Sequence, residues 1–325
     1  MKTKTFLLFS LAIILAFAGC TLSTDMEDAQ DKTGSRESKS FEVQMSEPAA
    51  SRAIGSDANV TAVYIKVFNT TASRSMATLS LVAGNTQGTI MTGTTENGAL
   101  RMTKDTDNIW KSGSFNATGD GSNFKMMAYA VDIDGKHRYV GFSDVQEGHV
   151  QITASTAASG YTLAGWGPAG GYIIYKDGSG LIYEASPTDA SAGQTWASST
   201  NTNIGPVGTA IGTGKANTDT IIASYPTSAA GTCRALTTGG YSYASNSALG
   251  WFLPSTLEMA EVYTRIGSTS YGFTNVLYWT STAFDTSPSK FNAYARNPTT
   301  SSAAVSTAKS TSLRFRAIRS FPYIP

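Results

Sequence analysis

The groups able to do chemistry are spread unevenly along the chain. From Val262 onward seven basic residues, Arg265, Lys290, Arg296, Lys309, Arg314, Arg316 and Arg319, stand against one acid, Asp285. Seven minus one is a local excess of +6, in a chain whose formal net charge is +1. A guanidinium offers a planar fork of donors that matches sulfate and carboxylate. Trp251, Tyr278, Trp279 and Tyr294 lie nearby in sequence, and aromatic rings suit sugar faces. Arg296, Arg314, Arg316, Tyr294 and Lys290 are therefore the candidate contacts for a glycan or polyanion. A structural reading competes with this one. Arg314, Arg316 and Arg319 can pair with Glu258, Glu261 and other carboxylates to fasten the last strand, and the tryptophans can be core.

Catalytic constellations fare worse. Beyond Gly165 there is no His and a single Cys, Cys233. Neither a Ser/His nor a Cys/His pair can be assembled from that segment. Cys233 follows Ala229 and Ala230, which favours a buried, inert thiol over a reactive one. Gly208 to Lys215 superficially resembles a phosphate loop. However, Thr209 occupies the first Gly position, and Ala216 stands where a hydroxyl should hold magnesium. Asp132-Ile133-Asp134-Gly135 has the opening of a calcium loop without the acidic ligand that should follow, so a hairpin turn is expected. His137 and His149, the only histidines, fall on neighbouring candidate strands without an acidic or thiol cluster. Surface positions are expected there rather than a metal pair. The expectation is a non-enzyme with no cofactor and no metal.

The start of the chain carries an address. Lys2 and Lys4 precede an apolar run, Phe6 to Phe17, too short for a comfortable membrane span of about 20 residues. Small residues follow, as in a secretory signal. Phe17-Ala18-Gly19-Cys20 resembles the bacterial lipobox, in which the Cys is lipidated and becomes the first mature residue. Residues 1–19 are thus expected to be a lipoprotein signal peptide and Cys20 the lipid anchor. The alternative is a plain cleaved signal with an incidental Cys. Residues 20–56 show no sustained period and are expected to be a disordered tether. The implied location is the bacterial cell envelope, at the outer membrane, with the face left open.

Charged residues make up 14% of the chain, against roughly 25% for ordinary globular chains. Gly, Ser, Thr and Ala fill the difference, which suits short strands and polar turns. The near-zero net charge does not advertise nucleic acid. Over 57–155 short alternating runs recur between turn residues: Thr61 to Phe68, Leu79 and Leu81, Ile109-Trp110 and Phe115, Phe124 to Ile133, Tyr139 to Phe142, and Val150 and Ile152. That spacing predicts an all-β, sandwich-like module.

Residues 165–325 read differently. Tyr172-Ile173-Ile174-Tyr175, a Lys-Asp-Gly-Ser-Gly turn and Leu181 to Ala185 predict a hairpin. Asn217 can cap a short helix running to Ile222, and Ser228 to Leu236 a second helical piece. Ser255 and Glu258 have capping-box spacing, behind Pro254. The helix that follows, to about Ile266, offers Leu257, Ala260, Val262, Tyr263 and Ile266 for a buried stripe. These segments, the Tyr278-Trp279-Thr280-Ser281-Thr282 block and the run Leu313 to Phe321 are expected to form one core around Trp251 and Trp279. The stretch from Asp285 to Ser312 is expected to be an exposed contact loop.

The order of motifs then points to a family. Gly-Gly-Tyr-Ile-Ile-Tyr, Glu-Ala-Ser-Pro-Thr-Asp, a Trp, Ile-Gly-Thr-Gly-x-x-Asn-Thr, Ala-Ala-x-x-Cys, Gly-Trp-Phe-Leu-Pro-Ser-x-x-Glu, Tyr-Trp-Thr-Ser-Thr and Arg-Phe-Arg-Ala-Ile-Arg-Ser-Phe together resemble the Lcl C-terminal domain family over about Gly165 to Phe321. The resemblance implies an α+β, C-type-lectin-like domain, here preceded by the all-β sandwich-like domain. It implies adhesion or ligand binding, with no chemistry attached. The calcium motifs of animal lectins are absent, so calcium-dependent sugar binding does not carry over. The expected whole is a non-catalytic, lipid-anchored envelope protein that binds a glycan, a polyanion or a protein. The alternative is a structural envelope or matrix component with protein partners only.

Overall fold

The computed structural model describes residues 37–46, 54, 57–120, 123–197, 206, 208–242, 244, 246–284, 291–300 and 303–325. The signal segment, Cys20 and Lys290 lie outside the described residues. The chain is mostly β, arranged in several sheets with short helices between them. Arg36–Pro325 is one compact unit.

The first part is all β, a ten-stranded sheet doubled over in the manner of a sandwich. Its strands are β1 Glu37–Ser46, β2 Ala62–Asn69, β3 Thr78–Leu81, β4 Gly88–Ile90, β5 Leu100–Lys104, β6 Trp110–Gly119, β7 Phe124–Val131, β8 His137–Ser143, β9 Gly148–Thr153 and β10 Ser155–Thr156. They hydrogen-bond in the order β10-β8-β7-β2-β5-β6-β1-β9, with β3 on β6 and β4 on β5. Strand β5 turns the corner. Leu100 and Arg101 pair with β2, and Thr103 and Lys104 pair with β6. The two halves of the sheet, on either side of β5, enclose Phe41, Val43, Val63, Ile65, Val67, Leu100, Phe115, Met126, Val150 and Ile152.

Strand β1 corrects the expected tether. Phe41, Val43 and Met45 alternate with polar residues and point into the sandwich core. The strand pairs antiparallel with β6 and parallel with β9, which puts it inside a sheet. The period of two was present but short, and its Glu, Lys and Ser neighbours masked it. The Asp132 turn is the expected hairpin connection. Its Oδ1 accepts the Asp134 and Lys136 N–H groups at 3.0 and 2.9 Å, and Gly135 takes φ +74°.

Beyond a single helical turn, α1 Ala157–Gly160, come two further sheets. Strands β11 Tyr172–Lys176, β12 Leu181–Ala185 and β18 Ile318–Pro322 form one, in the order β11-β12-β18. Strands β13 Ser191–Thr195, β14 Tyr278–Phe284, β15 Asn292–Arg296, β16 Val305–Ala308 and β17 Ser312–Phe315 form the other, in the order β13-β17-β14-β15-β16. Two strands, β15 and β16, therefore run within the stretch expected to be a loop. Trp251, Trp279, Phe315 and Ala317 share one core with Trp196 and Cys233, so the closing segment does meet both tryptophans.

Helices α2 Gly214–Ser224, α3 Ala229–Ala235 and α4 Thr256–Ile266 pack around these sheets. Helix α4 starts with the expected capping box. Ser255 Oγ accepts the Glu258 N–H at 3.3 Å, and Glu258 Oε2 accepts the Ser255 N–H at 2.6 Å. Its buried stripe is Met259, Val262 and Ile266, whereas Leu257 is exposed. Thr213, without a side-chain cap bond, begins α2. Asn217 is instead buried inside that helix, donating to Gly208 O and Ser281 Oγ.

The sandwich and the later sheets are not strung apart. Strands β2, β7 and β8 are covered on both faces. Their outward residues Phe68, Met127, Tyr129 and Val140 pack with Tyr161, Ile173, Ile182 and Phe321. A buried polar network threads this junction. Lys66 Nζ donates to Gly239 O at 2.9 Å and lies 3.3 Å from Glu96 Oε2. Tyr129 and Tyr241 hydroxyls both donate to that carboxylate. Arg319 stacks on Tyr241 at 3.5 Å and pairs with Glu184 at 2.9 Å. His137 is part of the junction, not of the surface. It stacks on Tyr129 at 4.7 Å, and its Nδ1 shares a hydrogen bond with Tyr161 OH. His149 is exposed, beside Glu42.

Candidate functional site

Two arginines of the closing segment meet one carboxylate, Asp189. Strand alternation sends Phe315 into the core and leaves Arg314 and Arg316 on the opposite face. Asp189 comes from the stretch after β12. That stretch is tied down where the Ser186 and Ala190 N–H groups donate to Ala317 O and Phe315 O, at 2.9 and 3.0 Å.

The Asp189 carboxylate is saturated. Its Oδ1 accepts from Arg316 Nε and Nη2 at 3.0 and 2.8 Å. Its Oδ2 accepts from Arg314 Nη1 at 3.1 Å and from Tyr278 OH at 2.9 Å. Arg316 is also spent. It donates to Tyr271 O and Gly272 O and lies flat on Phe273 at 3.7 Å. Burial pulls the Arg316 guanidinium below its ordinary value, opposed by the Asp189 charge. Burial likewise raises the Tyr278 phenol. Arg314 differs: its side chain is 34% exposed, and one Asp189 contact leaves the rest of its fork open.

This group floors a cleft of about 410 Å³, also lined by Ala72, Tyr172, Pro187, Thr188, Ser191, Ser270 and Tyr271. Tyr271 stands edge-on to Tyr172 at 5.0 Å. Ala72 belongs to the sandwich, in the connection between β2 and β3. Arg74, two residues on, is clamped between the rings of Trp166 and Tyr172 at 3.9 and 3.7 Å and donates to Gly171 O. Arg74 also takes φ +45°, a left-handed conformation rare for a residue with a side chain. The facing turn has no room to spare, since a Cβ on Gly170 would meet Arg74 O at 2.6 Å.

Of the five expected contacts, the structure brings together Arg314 and Arg316. Arg296 stands two strands away on β15, since Tyr278 pairs with both Arg296 and Arg314. Its guanidinium is 5.9 Å from the Tyr263 ring. Tyr294 packs edge-on to Phe284, away from the cleft. Lys290 lies outside the described residues. The expected pairing of the three arginines with carboxylates forms, but with Asp189 and Glu184 and not with the two acids named, Glu258 and Glu261. Glu258 is committed to the Ser255 and Gly212 N–H groups, and Glu261 lies beside Arg265. Asp189, Tyr172, Tyr271 and Ala72 were not singled out from sequence. For Asp189 the available signal was the end of the Glu-Ala-Ser-Pro-Thr-Asp motif, an acid more than a hundred residues ahead of the arginines it meets.

Among the described residues, other groups do not assemble chemistry of this kind. Cys233 is fully buried, and burial pushes its thiol far up. Among the described residues, no group of three or more His, Cys, Asp or Glu side chains converges as a metal site would require. A cleft of about 290 Å³ on the sandwich, between Glu42 and Val82 to Gln87, has one carboxylate and otherwise small or uncharged walls.

No protein-family model matches the sequence, and no curated protein matches it. Among solved structures, a pilus-presented adhesin is similar over 37% of this chain at 7% identity, with a TM-score of 0.20. The match spans 27% of the adhesin's own length. A likeness at that level carries no argument about fold or function.

Proposed function

We propose that this is a non-catalytic, lipid-anchored protein of the bacterial cell envelope, held at the outer membrane through Cys20, and that it works by binding. The domain from about Gly165 to Phe321 is read as C-type-lectin-like and akin to the Lcl C-terminal family. The support is the motif order and the packing of the closing segment on Trp251 and Trp279. The observation that carries the binding role is the open Arg314 fork above a saturated Asp189 in a 410 Å³ cleft. Such a pocket lies within the roughly 300–1,000 Å³ range of small-ligand sites. Its chemistry suits a glycan or another anionic ligand, and adhesion is the cellular role that follows.

A glycan array probed with the full chain and with Arg314→Ala tests the binding role. Wild-type signal on acidic or sulfated glycans, lost in the variant, is expected. Absence of signal on every glycan would reject it. Mass spectrometry of the mature N-terminus tests the anchor. A diacylated or triacylated Cys20 is expected, and an unmodified Cys20 would overturn that part.

A further inference from the structure

The charge in the cleft limits what it can hold. Arg314 and Arg316 bring two positive charges and Asp189 one negative, so two minus one leaves +1. Asp189 already accepts four hydrogen bonds, and Arg316 is spent on Asp189 and two backbone carbonyls. Among the described residues lining the cleft, the positive charge free to meet a ligand is therefore that of Arg314. One guanidinium edge matches one carboxylate. Beside it, Pro187 and Tyr271 supply apolar surface, and Thr188 and Ser270 supply hydroxyls. A ring with one acidic substituent and several hydroxyls answers all three features.

The sandwich closes one side of this space. Ala72 is part of the lining although it lies more than a hundred residues from the rest of the arginine cluster in sequence. Its loop is held by the Arg74 clamp between Trp166 and Tyr172, by the Arg74 bond to Gly171 O, and by the tight approach to Gly170. A left-handed non-glycine residue persists where its surroundings over-determine it, and such residues cluster at ligand sites.

We infer that the cleft takes a single sugar unit bearing one carboxylate, a hexuronate, and that the sandwich loop Thr70–Arg74 forms its outer wall. This rests on the reading of the cleft as a binding site. The carboxylate sits on the free edge of Arg314, the ring lies along Tyr271 and Pro187, and Ala72 limits how far substituents extend. Arg74 is a positioning residue, acting through the loop it holds.

Calorimetric titration of the full chain with methyl glucuronide, its methyl ester, methyl glucoside and a sulfated glucoside tests the inference. The uronide is expected to bind at least tenfold more tightly than its ester. Ala72→Trp, an exposed change, is expected to weaken uronide binding at least fivefold without shifting thermal unfolding. Arg74→Ala is expected to weaken it as well, with partial recovery in Arg74→Lys. Equal affinity for acid and ester, preference for the neutral or sulfated sugar, or wild-type affinity in both loop variants would overturn the inference. Were the neutral or sulfated sugar bound in an Arg314-dependent manner, the cleft would remain a binding site and only the hexuronate assignment would fall. No binding of any glycan, here or on the array, would remove both.

Discussion

Arg314 and Arg319 belong to the same closing segment, and each pairs with one carboxylate through a single side. Their surroundings set them apart. Arg319 and Glu184 are fully buried, whereas the Arg314 side chain is 34% exposed and that of Asp189 11%. Glu184 also receives the Ala169 and Gly171 N–H groups at 3.0 and 2.8 Å, so that pair is built into the backbone of the junction. Among the described residues, the partners of Asp189 are side chains. The same residue types thus serve as a fastener in one place and as an open contact in another. What separates the roles is solvent access, which depends on contacts far away in sequence.

The sharpest way to break the contrast is to remove each arginine. Arg319→Met leaves Glu184 charged and without its cation in the interior, and is expected to cost about 3–5 kcal/mol in urea unfolding. Adding Glu184→Gln should recover part of that loss. The charge is gone, while the amide oxygen still accepts the Ala169 and Gly171 N–H groups. A double variant no better than the single one would mean the pair matters through packing alone.

Titration probes the buried side next. Burial and the charges of Arg319 and Lys66 hold the His137 imidazole well below its usual value. The unfolded chain then binds the extra proton first as pH falls below about 6.5. Stability should rise with pH up to that value and decline on the acid side, and His137→Phe should flatten that limb. Lys66 is pulled down by burial to about 8 from 10.5, against the pull of Glu96. Between those values the unfolded state binds more protons, so stability should rise with pH there. Lys66→Met should abolish that rise. A wild-type curve flat across both windows would mean that neither group is buried as described.

The smallest effect is expected in the cleft. Arg314→Ala should change stability by less than about 1 kcal/mol, as for other partly exposed ion pairs. A loss as large as that of Arg319→Met would erase the distinction between the two regions.

Local features were the legible ones. The Ser255–Glu258 box, the Tyr172–Ala185 hairpin and the Asp132 turn are each specified within a few neighbouring residues. The meeting of the closing segment with Trp251 and Trp279 followed from apolar and aromatic runs that needed a common interior. Strand β1 was missed because three alternating apolar residues carry little weight beside a polar stretch. The arginine partners were missed because sequence shows which charges exist but not which faces meet. Arg314 and Asp189 are 125 positions apart, and Arg319 and Glu184 135. His137 was misplaced for a related reason. Alternation assigned it to a strand, but only the second layer of protein over that strand makes the position an interior one.

Strand β1 has a mechanical consequence. Its partners lie far downstream, with Phe41 opposite Phe115 on one side and Val43 opposite Val150 on the other. Whatever is tethered upstream of Glu37 therefore pulls on a strand paired on both sides, one in from the sheet edge, and not on a loose edge. A tug from that end must shear two rows of backbone bonds at once. A nick between Ser46 and Asp57 would leave the severed segment gripped by its neighbours on either side.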